Sequence, residues 1–189
     1  MMTADPIASI TIAILAGGHS SRMGIDKSLM PINGQPLIQH IVDQLWLLTT
    51  NIIISTNTPE RHAFLGLPMV ADEQSGFGPI MGILSCLAAI ESDHLLVTPC
   101  DVPVLPLPFL LALAERSKSA DIVMATDRQG RHEPLLAIYA RRLEPLLRHL
   151  VNAGERRIVT LVTHPGIHTE FISLAGQDWY RNLNTPADL

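Results

Sequence analysis

Cysteine is almost absent: Cys86 and Cys100 are the only two in 189 residues. Two cysteines make no disulfide framework, and no C-x-x-C spacing offers a zinc site. Positive charge is not in excess either. Charged residues are 16% of the chain, low enough that most of it should fold, and the net charge of −5 argues against broad binding to nucleic acid. No apolar run reaches the length of a membrane span, and Met1-Met2-Thr3-Ala4-Asp5-Pro6 has no basic segment leading into an apolar core. A cytoplasmic protein without a membrane partner is therefore expected. Internal repeats, linkers and low-complexity segments are missing too. What remains, 47% hydrophobic residues over 189 positions, suffices for one well-buried domain over residues 1–189 and not for a second.

The stretch from Ile12 to Lys27 organises the rest. Ile12-Ala13-Ile14-Leu15 is a short apolar run that reads as a buried strand. It breaks at Gly17-Gly18 into a loop of small residues, where glycine lets backbone approach a ligand closely. Arg22 and Lys27 come once the loop has turned. Backbone N–H groups facing phosphate oxygens, with two cations to neutralise them, make a cradle for a nucleoside triphosphate. It is not a P-loop, because Ile25 and Asp26 separate Gly24 from Lys27 and put the lysine out of register. Nor does Gly17-Gly18-His19-Ser20-Ser21-Arg22 supply the G-x-G-x-x-G of dinucleotide binders.

The chain then alternates. Asn33-Gly34 predicts a tight hairpin between 28–32 and the residues after the turn, and Pro36 suits the first turn of a helix carrying Leu37, Ile38, Ile41, Val42, Leu45 and Leu48. Ile52-Ile53-Ile54 reads as a second parallel strand ending in Ser55-Thr56-Asn57, and 69–71 as a shorter strand that runs into Asp72. Pro79 opens a helix, and 94–98 is a strand running into Pro99-Cys100-Asp101-Val102-Pro103. Helices are expected over 107–117, 143–151 and 157–162, and strands over 121–125, 134–139 and 167–172. This alternation predicts an α/β fold: three α/β/α layers, Rossmann-like, around a mostly parallel central sheet whose strand C-termini bind the ligand.

The pattern L-A-G-G-x-S-x-R-M-G-x-D-K over 15–27 resembles the signature of nucleotidyltransferases, in particular the molybdenum cofactor guanylyltransferases. Those enzymes transfer GMP from GTP to the molybdenum-molybdopterin cofactor. Gly78-Pro79-x-x-Gly82, Pro99-Cys100-Asp101-x-Pro103, Gly154-Glu155-Arg156-Arg157 and Asn182-x-Asn184-Thr185-Pro186 match further segments, so the resemblance runs nearly end to end. It implies that Leu15, Ala16, Gly17, Gly18, Lys27, Asp72, Gly78, Pro79 and Asp101 contact GTP. It also implies an asparagine at the end of the second strand; this chain departs by placing Ser55 there, with Asn57 two residues on. The second substrate would meet Arg156, Arg157, Asn182 and Asn184. Cofactor-insertion enzymes or molybdoenzyme chaperones are candidate partners. Leu-Ala-Gly-Gly, where cytidylyltransferases and many sugar nucleotidyltransferases carry Leu-Ala-Ala-Gly, leaves room for a purine beside Gly17.

The residues allow a direct mechanism. Nucleotidyl transfer needs a divalent cation, and Mg2+ takes one or two carboxylates with phosphates and water completing its shell. Asp101, at the end of a buried strand between two prolines, is the candidate metal ligand; its alternative role is to cap the helix after Pro103. Arg22 and Lys27 would join it as catalytic residues, neutralising the phosphates. Neither cysteine has a basic neighbour, no Ser–His–Asp order stands out, and in-line attack on the α-phosphorus needs positioning and charge neutralisation rather than a protein nucleophile. Arg156-Arg157 suits a terminal phosphate on the second substrate, or equally a solvated helix start. His132-Glu133 reads as ordinary structure beside a strand. Two alternatives remain open: a cytidylyl- or sugar-phosphate nucleotidyltransferase, and a non-catalytic nucleotide-binding adaptor that delivers the cofactor.

Overall fold

The computed structural model describes residues 7, 9–16, 26–176 and 179. In chain order the strands and helices are β1 (Ile10–Leu15), β2 (Pro31–Ile32), β3 (Gln35–Pro36), α1 (Leu37–Leu45), β4 (Ile52–Ser55), α2 (Pro59–His62), β5 (Met69–Val70), α3 (Pro79–Ala89), β6 (His94–Pro99), α4 (Leu107–Arg116), β7 (Ile122–Thr126), β8 (His132–Ala140), α5 (Glu144–Asn152) and β9 (Thr169–Ser173). No helix among the described residues is long and apolar enough to cross a membrane.

Seven strands form one sheet in the order β5-β4-β1-β6-β8-β7-β9. β1 lies at its heart, buried at all six positions because both faces are covered. Its side chains alternate between two cores. Ile10, Ile12 and Ile14 pack with Leu37, Ile41 and Leu45 of α1 and Leu110 and Leu113 of α4. Ala13 and Leu15 pack on the other face with Ile80, Ile83, Leu84 and Leu87 of α3 and Leu147 and Val151 of α5. These are the three expected layers.

β4 and β6 flank β1, both parallel to it. The chain first crosses through α1 to β4 and β5, then returns through α3 to β6 on the far side of β1. A crevice opens outside the strand C-termini where the order reverses in this way, and that is where open α/β sheets hold ligands. β8 alone runs against its neighbours, antiparallel to β6 and to β7. Its direction comes from a short link: Asp127 Oδ1 accepts from the N–H groups of Gln129 and Arg131, each at 2.8 Å. A turn of that size reverses a chain, whereas a parallel return needs a dozen residues or more.

Boundaries differ from expectation in a few places. The hairpin pairs only Pro31–Ile32 with Gln35–Pro36, about Asn33 (φ 49°) and Gly34 (φ 85°). Residues Lys27–Leu29 coil into a 3-10 turn instead, because Asp26 caps them by accepting from Ser28 N. α1 ends at Leu45, and Leu47 points to solvent at 74% exposure. The segment expected as a helix over 157–162 is a 3-10 turn at Ile158–Leu161, the edge strand is Thr169–Ser173, and His132 and Glu133 lie inside β8.

Candidate active site

The ladders continue past the strands and bring the predicted residues to one edge. Ala16 N donates to Ser55 O and Thr56 N to Val70 O, both at 2.9 Å. Leu15 and Ala16, Ser55 to Asn57, and Asp72 thereby become neighbours. Asn57 and Asp72 bind reciprocally: Asn57 Nδ2 donates to Asp72 Oδ2 at 2.8 Å, and Asp72 N donates to Asn57 Oδ1 at 2.9 Å. Ser55 is buried beneath them, near the Cys86 thiol. Asn57 therefore pairs with the Asp72 carboxylate, while Ser55 lies below.

Gly82 of α3 closes this floor. A Cβ there would meet Ser55 Oγ at 2.9 Å, Asp72 Oδ1 at 3.5 Å and Leu15 Cδ2 at 3.6 Å. The missing side chain is what lets α3 approach the ends of β1 and β4. Four residues earlier Gly78 holds φ 72°, ψ −153°, which only glycine adopts readily, and Pro79 comes next as the first helical residue.

Asp101 sits just past the end of β6, half-buried, and its Oδ2 lies 3.9 Å from Lys27 Nζ. Burial raises its pKa above the ordinary 3.8, and the Lys27 ammonium partly opposes that shift. α4 starts only at Leu107 with Pro106 as its cap, so Asp101 is not a helix cap. Among the described residues no three His, Cys, Asp or Glu side chains group as a metal cage. One carboxylate at a strand end suits a cation that arrives on phosphates and keeps its waters, as magnesium does. Burial pushes both thiols, Cys86 and Cys100, up to about 12, so neither is a thiolate nucleophile at neutral pH.

The structure separates the two arginines expected at the second substrate. Glu155 Oε1 accepts the N–H groups of Arg156 (2.8 Å) and Arg157 (2.9 Å), fixing the start of the 3-10 turn. Arg156 then reaches across to the loop before α3: its Nη1 donates to Gly76 O at 3.0 Å, and its guanidinium lies 5.3 Å from the centre of the Phe77 ring. Arg157 points to solvent, 78% exposed and 3.7 Å from Glu155 Oε1. Gly17, Gly18, Arg22, Asn182 and Asn184 lie outside the described residues. His132 is exposed and stacks on Phe171 at 4.8 Å.

Two connections have no counterpart in the sequence pattern. Arg148 of α5 grips Glu73 with both terminal nitrogens, at 2.6 and 2.9 Å, and Glu144 through Nε at 2.5 Å. Glu73 N in turn donates to Ser85 Oγ at 3.0 Å, so the residue after Asp72 is tied to α3 and α5. Beneath Lys27, Asp26, Ser28, His62 and Thr56 form a second network. Their sequence separations, 75 for Glu73–Arg148 and 34 for Ser28–His62, leave no local pattern to read.

Comparison with known proteins agrees with this geometry. The model of the MobA-like NTP transferase domain matches residues 12–167. A probable molybdenum cofactor guanylyltransferase of Carboxydothermus hydrogenoformans is 33% identical over 187 residues, covering 95% of this chain and 93% of that protein. A molybdenum cofactor guanylyltransferase of Shewanella sp. is 36% identical over 188 residues, covering 95% and 93%. In fold, the chain resembles the crystal structure of molybdopterin-guanine dinucleotide biosynthesis protein A from Archaeoglobus fulgidus, with TM-score 0.76 and 22% identity over 94% of each chain. With a lysine–carboxylate pair at the strand ends and the matched segment spanning it, the chain belongs to the MobA-like NTP transferase family.

Proposed function

We propose that this protein is a molybdenum cofactor guanylyltransferase. It transfers GMP from GTP to the molybdenum-molybdopterin cofactor and releases pyrophosphate, with Mg2+ as the required ion and one domain over 1–189 performing the transfer. The observation that carries the reading is the meeting of Lys27 and Asp101, 3.9 Å apart, beside the floor made by Leu15, Ser55, Asp72 and Gly82. The identity of 33–36% to proteins of that name supports the substrate pair. A cytoplasmic location goes with the reading.

The base lies at the edge of this floor, beside Asp72, with room for a purine next to Gly17; Gly82, lacking a side chain, lets α3 close on Leu15, Ser55 and Asp72. Asp72 uses one oxygen on Asn57 and turns the other toward Gly82, so a carboxylate faces the N–H edge of a purine such as guanine. Asn57 holds that carboxylate in place, and Gly78-Pro79 set the height of α3 beside it. The triphosphate tracks residues 15–27 through Ala16, Gly17 and Gly18, with Lys27 and Arg22 as its cations. Asp101 would hold the magnesium. When bound, that ion neutralises charge on the phosphates and on the departing pyrophosphate.

The terminal phosphate of the cofactor supplies the nucleophile. One of its oxygens bonds to the α-phosphorus of GTP while the bond from that phosphorus to the bridging oxygen of the β-phosphate breaks. No proton has to leave a protein group, because the attacking phosphate is already ionised at neutral pH. Arg156, at the loop before α3, and Arg157, Asn182 and Asn184 bind the incoming cofactor. Delivery to cofactor-insertion enzymes or molybdoenzyme chaperones would come after transfer.

Pyrophosphate release by two variants tests these roles. Asp101→Ala should abolish turnover while much of the nucleotide affinity survives; Lys27→Ala should weaken both. Unchanged turnover in Asp101→Ala removes the metal assignment, and wild-type kinetics in Lys27→Ala removes the cradle.

A further inference from the structure

Lys27 stands on a support that takes no direct part in the transfer. It is the first residue of the turn Lys27–Leu29, and the turn is held from below by the side chain of Ser28, which is fully buried. Ser28 Oγ lies 2.6 Å from Asp26 Oδ1 and 2.9 Å from Nε2 of His62. His62, the last residue of α2, is fully buried as well. Its Nδ1 lies 3.3 Å from Oγ1 of Thr56, the residue just past β4, and 3.4 Å from Thr58 O. Arg61, beside it in α2, reaches the other oxygen of Asp26 at 3.8 Å.

Counting protons orders this network. Asp26 can only accept when ionised, so the Ser28 hydroxyl gives its one proton to Asp26. Ser28 Oγ must then accept from His62, which assigns the proton of a singly protonated ring to Nε2. Nδ1 is left as an acceptor, and the Thr56 hydroxyl donates to it while itself accepting from Thr58 N at 3.2 Å; Thr58 O, itself an acceptor, is then a neighbour of the ring and not a partner. The result is a one-way chain, Thr56 to His62 to Ser28 to Asp26, in which every donor has one acceptor. Its upper end is the turn that carries Lys27. Its lower end is β4, whose exit also carries Ser55 and Asn57.

We propose that His62 is a positioning residue for Lys27: through Ser28 it sets the lysine turn against the end of β4, so that phosphate cation and base-binding floor keep a fixed separation. The inference rests on the proposed nucleotidyl transfer for its kinetic arm only. A histidine suits the task because its two nitrogens, one donating and one accepting, span two hydroxyls on separate segments. An aliphatic residue would fill the space and leave Ser28 and Thr56 buried without partners.

The test compares His62→Leu, His62→Gln and Ser28→Ala with wild type, each also in a Lys27→Ala background. Displacing Lys27 should lower kcat/KM for GTP by at least about tenfold in His62→Leu. Calorimetric affinity for magnesium-GTP should fall in the same variant, and KM for the molybdenum cofactor should stay at the wild-type value. Glutamine keeps a donor near Nε2, so His62→Gln should recover most of the turnover even where its melting temperature stays low. Ser28→Ala should reproduce His62→Leu, and neither should reduce turnover further once Lys27 is alanine. Wild-type kcat/KM and GTP affinity in folded His62→Leu and Ser28→Ala, or losses that add in full to Lys27→Ala, overturn the proposal. GTP affinity is read without turnover. A wild-type protein that binds GTP and releases no pyrophosphate would overturn the reaction, while the fall in affinity in His62→Leu would still support the positioning role.

Discussion

Gly82→Ala separates the fold from the nucleotide site. In the interior of α3, alanine improves on glycine by about 1 kcal/mol in helix propensity. Against that gain, the new Cβ would lie 2.9 Å from Ser55 Oγ, closer than such contacts allow, with Asp72 Oδ1 and Leu15 Cδ2 just behind at 3.5 and 3.6 Å. Overpacking of this kind costs about 1–3 kcal/mol if nothing moves. The hydroxyl can turn about χ1 to relieve the contact, which leaves the cost at the low end of that range, about 1 kcal/mol. The helix gain and this residual cost nearly cancel, so global stability should stay within about 1 kcal/mol of wild type. The nucleotide does not share in the gain. Losing one hydrogen bond to the base, or the few tenths of an ångström that seat it, raises KM for GTP by about tenfold, equivalent to about 1.4 kcal/mol. Denaturant unfolding and pyrophosphate release measured on one preparation check both halves. Wild-type KM with wild-type stability would show that α3 does not approach the base, and the floor at Gly82 would fall.

Asp101→Asn should lower kcat by at least about 100-fold, since charge neutralisation at the phosphates contributes several kcal/mol, yet leave the melting temperature at neutral pH equal or higher. Burial raises the Asp101 pKa, so its ionisation lowers stability as pH rises from 3.8 through the raised value, and the variant's advantage should vanish at the acid end of that window. Glu73→Gln should show the opposite pH dependence. The Arg148 hydrogen bonds hold the Glu73 carboxyl below 4.5, so its contribution, at most about 1 kcal/mol for so exposed a pair, is present at neutral pH and disappears as pH falls through the lowered value; thermal melts of both proteins across that range check it. Gly78→Ala should lose about 1–3 kcal/mol in denaturant titration from backbone strain alone, because no atom stands within 4 Å of the added Cβ.

The parts of the fold readable in advance are those set by local chemistry. Alternating helices and apolar runs gave the layers, Asn33-Gly34 gave the hairpin, and Pro79 gave the start of α3. The reversal of β8 was less legible, although Asp127 and Gly130 mark the turn that causes it, because strand counting carries no direction. At the site, polar residues just past buried runs correctly located Ser55, Asn57, Asp72 and Asp101 on one edge, since a parallel sheet gathers its strand ends. The pairing of Asn57 with Asp72 needed the register between β4 and β5. Arg156 and Arg157 looked equivalent as neighbours; only the position of the loop at Gly76 and Phe77 tells them apart. His62 had no signal, because its meaning lies in a hydroxyl on the turn that carries Lys27.

The most direct measurement is pyrophosphate release with molybdopterin or its molybdenum form and magnesium, comparing GTP, CTP, ATP and UTP. The account predicts release with GTP and little with the other three. Preference for CTP would contradict the assignment of guanine to the Gly82 floor while keeping the fold. Binding of GTP without release from any nucleotide would contradict catalysis itself and leave a carrier of nucleotide in its place.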